Sequence, residues 1–160
     1  MGTEIERKFL VISDEWRGLA TGVEYRQGYL CASKERTVRV RIAGDSAFLT
    51  IKGQATGISR MEYEYPIPVD DARVLLAELC EQPIIEKKRS KIDYQEFVWE
   101  VDEFFGENEG LLVAEIELER EDQEFMKPPW VGEEVSSDRR YSNAGLVKNP
   151  YLHWKSQVSK

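Results

Sequence analysis

The sequence predicts a mainly β protein with peripheral helices (α+β): eight antiparallel strands closed into a barrel around a polar, charged interior. Three observations carry this. Strand-type alternation recurs in eight runs, against three short helical stretches. The even number of runs lets an antiparallel sheet close on itself. Charge along the runs is sorted by face and by strand, so that whole strands carry one sign.

The first run, residues 3–12, contains EIERKFLV. Alternation puts Glu4, Glu6 and Lys8 on one face and Ile5, Arg7 and Phe9 on the other. Runs at 24–31, 37–43, 46–53 and 59–67 follow, with Gly44-Asp45 as a hairpin turn and a Gly-rich loop at 53–57. Pro66, Pro68 and Asp70-Asp71 close the fifth strand and start a helix near 70–82, whose buried side carries Leu75, Leu76 and Leu79. Runs at 84–94, 96–105 and 111–120 complete the set. A second helix is expected near 121–127, stopped by Pro128-Pro129, and a third from Ser136-Ser137-Asp138 to about Lys148. Residues 1–150 read as one domain, and 151–160 as a poorly ordered tail.

The charge pattern argues for closure. Arg39 and Arg41 share one face of the third strand, Lys52 lies on the fourth, and Lys87 and Arg89 on the sixth. Glu62 and Glu64 share a face of the fifth, Glu100 and Asp102 of the seventh, and Glu115, Glu117 and Glu119 of the eighth. Lys88 points outward by alternation, and Glu119 falls near the rim. Like charges two residues apart are about 7 Å apart. Their repulsion is about 2 kcal/mol at an effective dielectric near 20, against about 0.6 kcal/mol in water. An open sheet with a wet outer face is the alternative, but uniform-sign strands gain nothing in water. A closed barrel with its polar face inward gives them a use. Guanidinium and ammonium groups grip phosphate oxygens, and clustered carboxylates supply the hard ligands that magnesium or manganese prefers.

Composition excludes several other classes. The chain has 160 residues, 41% hydrophobic and 32% charged, as expected for one soluble domain. A formal net charge of −8 argues against general nucleic-acid binding. No run of about 20 apolar residues could span a membrane. The N-terminus lacks a secretory h-region, and Cys31 and Cys80 have no metal or CxxC spacing, so a cytoplasmic protein with reduced thiols is expected. His153 is the only histidine, which excludes histidine-rich zinc sites. Pro128-Pro129-Trp130 reads as a helix stop with an aromatic anchor. Aromatic residues on the outer wall suggest a homodimer.

The ordered set of Glu4-x-Glu6-x-Lys8, Arg39-x-Arg41, Lys52, Glu62-x-Glu64, Lys87-x-Arg89 and Glu115-x-Glu117 resembles the signature of the CYTH superfamily, the triphosphate tunnel metalloenzymes. The likeness spans residues 3–148. GYL on the second strand and PPWVGEEV near the C-terminus are similar to the short bacterial inorganic triphosphatases. The resemblance implies an eight-stranded tunnel that hydrolyses inorganic triphosphate with one or two Mg2+ or Mn2+ ions. It assigns the triphosphate to Lys8, Arg39, Arg41, Lys52, Lys87 and Arg89. It assigns metal to Glu4, Glu6, Glu115 and Glu117, with Glu62, Glu64 and Asp102 as further ligands or supporting groups. Lys8, Tyr29 and Glu117 become the catalytic candidates, Tyr29 by pairing with a lysine; Gly28 and Tyr29 read equally well as a strand bend. The segment with Arg139, Arg140 and Tyr141 resembles the helix that closes one tunnel mouth. A class IV adenylate cyclase, a thiamine triphosphatase and a non-catalytic polyphosphate-binding module remain alternatives.

Overall fold

The computed structural model describes residues 2–158. Among these residues nine strands form one sheet: β1 (Gly2–Val11), β2 (Val23–Ala32), β3 (Arg36–Ala43), β4 (Ser46–Gly53), β5 (Ser59–Ile67), β6 (Ile85–Tyr94), β7 (Phe97–Phe104), β8 (Leu112–Glu117) and β9 (Val131–Glu134). The first eight match the expected runs to within a few residues. Their order is β5-β4-β3-β2-β6-β7-β8-β1, and β1 pairs back onto β5, so the barrel is closed and antiparallel.

Closure depends on how β1 divides its edges. Glu6 to Leu10 pair with β8, while Gly2 to Ile5 pair with β5 through Ser59 to Glu62. On the same side as β5, Phe9 and Val11 take β9 instead. This short ninth strand was not expected from the sequence. It satisfies backbone groups of β1 that β5 does not reach, as in the bond from Val135 N–H to the Lys8 carbonyl.

Alternation turns the apolar face of each strand outward. Phe9, Trp99, Val101, Ala114 and Ile116 are buried outside the barrel wall, under Trp16, Phe125 and Trp130. Trp99 meets Phe9, Phe125 and Trp130 edge-to-face at centroid distances of 5.5, 5.7 and 6.3 Å. The helix expected at 121–127 is absent: the chain runs irregularly there, with only a turn near Glu121. A seven-residue stretch before two prolines has little helical stability of its own. The irregular path lets Phe125 reach Trp99.

On the opposite side, α1 (Val69–Val74) continues as a wider turn through Leu75–Leu79 and covers Val40, Ile42 and Ala47 with Ala72, Leu76 and Cys80. A Cβ on Gly28 would come within 3.0 Å of the Cys80 Cβ and 3.1 Å of Ile84 Cγ2. Close packing against this helix end therefore explains the glycine of GYL, and the strand irregularity falls after it, between Tyr29 and Cys31.

The inward face changes character along the barrel. Lys87, Asp102 and Glu115 give way to Ile85, Phe104 and Val113, which pack against Tyr141, Leu146, Val147 and Trp154. The C-terminal segment thus plugs one end, using a turn at Arg139–Tyr141, then α2 (Asn143–Lys148). Ser142 caps α2 by accepting from Gly145 N–H at 3.0 Å. The expectation of a loose tail is corrected for 151–158: two short turns bury Trp154 to 2% exposure between Tyr141 and Tyr151. Residues 159 and 160 lie outside the described part.

Candidate functional site

The barrel encloses a cavity of about 800 Å³. Glu4, Glu6, Lys8, Tyr29, Arg39, Arg41, Lys52, Glu62, Glu64, Arg89, Glu115 and Glu117 line it. Residues far apart in sequence thus share one chamber, and the open-sheet alternative falls. Lys87 and Asp102 are not at the lining; they are 2% and 1% exposed, one step behind it. Lys88 and Glu119 are exposed and away from the cavity.

Strand pairing sets who meets whom. Glu6 lies directly opposite Glu117, Lys8 opposite Glu115, and Arg89 opposite Asp102. Lys52 lies opposite Glu62, Arg39 opposite Tyr29 and Thr50, and Arg41 opposite Gln27 and Phe48. Most cations already hold a carboxylate. Lys52 Nζ is 2.8 Å from Glu4 Oε2 and 3.6 Å from Glu62 Oε2. Lys8 Nζ is 3.3 Å from Glu115, and Arg39 Nη2 is 3.5 Å from Glu64. Arg89 grips Asp102 with Nε and Nη2, both at 2.8 Å, and reaches Glu115 at 3.1 Å and Glu100 at 3.2 Å. Lys87 donates to Asp102 at 2.8 Å and to Asn143 Oδ1 at 3.1 Å. Lys8 donates to the Tyr141 carbonyl at 3.1 Å, so both lysines also tie the plugging segment to the wall.

Burial opposes ionisation of Asp102 and Glu115, but their cationic partners win. Arg89 and Lys87 hold Asp102 well below the usual carboxylate range, and Lys8 and Arg89 hold Glu115 at about 2. Burial, with repulsion from Arg89 and Arg41, brings Lys87 down to about 7 despite Asp102. Glu6 behaves oppositely: burial, then repulsion from Glu115 and Glu4, pushes it up to about 8. Glu117 is also raised, by burial and by Glu4, Glu62 and Glu100, and Glu62 by burial and Glu4. Glu6 and Glu117 make no ion pair among the described residues.

That donor set fits a divalent cation. Two facing carboxylates with raised pKa values and no cationic partner are hard oxygen ligands short of positive charge. Among the described residues no three acidic groups gather tightly enough to cage an ion unaided. Magnesium characteristically takes one or two carboxylates and completes its shell with water and phosphate oxygens, so a two-carboxylate site beside a wall of guanidinium and ammonium groups suits it.

Several groups at the cavity lining or just behind it were not singled out by sequence reasoning. Tyr25 lies under two guanidiniums, with Arg41 and Arg89 at 4.8 and 5.1 Å from its ring centroid. Thr50 donates to Glu64 at 2.8 Å and accepts from Arg39 at 3.2 Å. Arg60 lines the cavity and is tied by Nε to the Gly53 carbonyl at 3.0 Å. Gln27 accepts from Arg41 Nε at 2.7 Å. Alternation was the available signal, since Tyr25 and Gln27 share the face of Tyr29.

The CYTH domain profile matches residues 2–148. The chain is 57% identical over 155 residues to an inorganic triphosphatase of Acetivibrio thermocellus, covering 97% of this chain and 99% of that protein. It is 41% identical over 151 residues to an inorganic triphosphatase of Nitrosomonas europaea, covering 91% and 97%. The crystal structure of an inorganic triphosphatase superposes with a TM-score of 0.66 at 37% identity, over 92% of this chain and 95% of that one.

Proposed function

The chain belongs to the CYTH domain family, and on that premise we propose that it hydrolyses inorganic triphosphate to pyrophosphate and phosphate inside the barrel. The observation that supports this most is the enclosed chamber of about 800 Å³ with basic and acidic side chains facing each other across it. A triphosphate is a compact polyanion with no other group to recognise, and the chamber offers charge rather than an apolar pocket.

Arg39, Arg41, Lys52 and Arg89 bind the phosphate oxygens in this reading; all but Arg41 exchange or share a carboxylate in doing so. Lys8 and Tyr29, at the plugged end, position one terminal phosphate. Lys87 and Asp102, both also expected at the site, act from behind: Asp102 orients Arg89, and Lys87 locks Asp102 to Asn143. Glu6 and Glu117 hold magnesium or manganese, with Glu4, Glu62, Glu64 and Glu115 around them. The bound ion would supply charge neutralisation and water activation. Water adds to a terminal phosphorus, the P–O–P bond breaks, and pyrophosphate leaves with the bridging oxygen. The cationic wall stabilises charge on the transferred group, so no side-chain nucleophile is needed.

No helix among the described residues is long and apolar enough to cross a membrane. We place the protein in the cytoplasm, without nucleic-acid partners. Its expected homodimer would use the outer face of β4 and β5, where Ile51, Met61 and Tyr65 are exposed; sedimentation at monomer mass would remove that assignment.

A substrate panel tests the function. Tripolyphosphate, ATP and thiamine triphosphate are each incubated with the protein and magnesium, with an EDTA control. Phosphate release from tripolyphosphate, abolished by EDTA and restored by magnesium or manganese, is expected. Cyclic AMP from ATP, preference for thiamine triphosphate, binding without product, or EDTA-resistant turnover would each replace the reading.

A further inference from the structure

Of the six cations assigned to triphosphate, only Arg41 makes no ion pair among the described residues. It is half-buried at the lining, over the Tyr25 ring, and burial together with repulsion from Arg39 and Arg89 lowers its pKa to about 10. Its side-chain acceptor is the Gln27 amide oxygen, 2.7 Å from Nε. Gln27 is 0% exposed, and its Nε2 has no hydrogen-bond partner among the described residues.

We propose that Gln27 is a positioning residue that orients Arg41 without neutralising it, keeping one guanidinium in the lumen open for the incoming phosphate. The inference rests on the triphosphate reading of the site. A neutral acceptor fixes Nε and the plane of the guanidinium, and leaves its full charge for the ligand. A carboxylate in the same place would hold the guanidinium equally well but would compete with phosphate for it. Arg39, Lys52 and Arg89 must each loosen such a pair when substrate arrives; Arg41 need not. Arg41 is therefore the point at which an anion gains most on entry, and a buried glutamine with an unsatisfied amide N–H is the cost of keeping it so.

The test is calorimetric titration of inorganic tripolyphosphate, with magnesium and at temperatures where turnover is negligible, into wild type, Gln27→Glu and Gln27→Met. Urea midpoints are read alongside. Gln27→Glu keeps the shape and the hydrogen bond but pairs Arg41. It is expected to weaken binding about tenfold or more, with an unchanged or higher urea midpoint. A purely structural glutamine would not give that opposition. Gln27→Met, which removes the acceptor, is expected to weaken binding with a lower midpoint, and to add nothing in an Arg41→Met background. Gln27→Glu binding within about twofold of wild type overturns the proposal. Should that variant not fold, Gln27→Met binding within the same range overturns it. Wild type that binds no tripolyphosphate would overturn the site reading itself, and this inference with it.

Discussion

Replacing Glu6 by glutamine should stabilise the metal-free protein while disabling it. In the fold Glu6 titrates at about 8, against 4.5 for an ordinary glutamate, because burial and the nearby Glu115 and Glu4 disfavour its charge. The folded state therefore holds this proton more tightly than the unfolded chain. Between pH 4.5 and about 8 the unfolded chain loses the proton first, so stability falls as pH rises through that window. At 1.36 kcal/mol per pKa unit the ceiling on this loss is about 5 kcal/mol. Water reaching a half-buried carboxylate, and rearrangement of Lys52 and Lys8 toward it, reduce the expected effect to about 1–3 kcal/mol. Urea denaturation in EDTA, followed by tryptophan fluorescence, measures it. Glu6→Gln and wild type should match near pH 4.5 and diverge upward, with the variant more stable at pH 9. Equal pH slopes, or a variant less stable at pH 9, would refute the claim that Glu6 carries an uncompensated charge. The same substitution removes a proposed metal ligand and should lose hydrolysis, a trade of activity for stability.

Glu117→Gln, at saturating magnesium, should lose about 99% or more of phosphate release with an unchanged far-UV spectrum; full activity would remove Glu117 from the site. Arg89→Met should cost about 3 kcal/mol by urea denaturation, the low end for breaking a buried pair, because it leaves Asp102 and Glu115, at 1% and 4% exposure, with only Lys87 and Lys8 as cationic partners. Adding Asp102→Asn to that variant should recover part of the loss, and a variant as stable as wild type would show that Arg89 does not carry the cluster.

The barrel was legible because alternation and charge report the same thing twice. Arg39 and Arg41, Glu62 and Glu64, and Glu115 and Glu117 each occupy one face, and such sorting is costly unless opposite signs face it. The missed parts lack such redundancy. Residues 131–134 give only two alternations, and β9 exists because Phe9 and Val11 have an edge to fill. At 121–127 local composition favours helix, while Phe125 is held by Trp99 and Phe9, which lie elsewhere in the chain. The tail looked polar, yet Trp154 caps the plugged end through Tyr141. Within the site, Tyr25 and Gln27 carry no charge, so a reading based on charge passed over the groups that shape Arg41. Lys87 and Asp102 were placed on the correct face, but sequence cannot show that each satisfies the other behind the lining.

The most direct measurement is a crystal structure of the protein with tripolyphosphate and manganese, collected at the manganese absorption edge in a variant too slow to turn over. The account predicts an anomalous peak beside Glu6 and Glu117, and phosphate oxygens within hydrogen-bonding reach of Arg39, Arg41 and Arg89 in the lumen. Manganese or phosphate bound only on the outer surface, with the chamber filled by water, would contradict it.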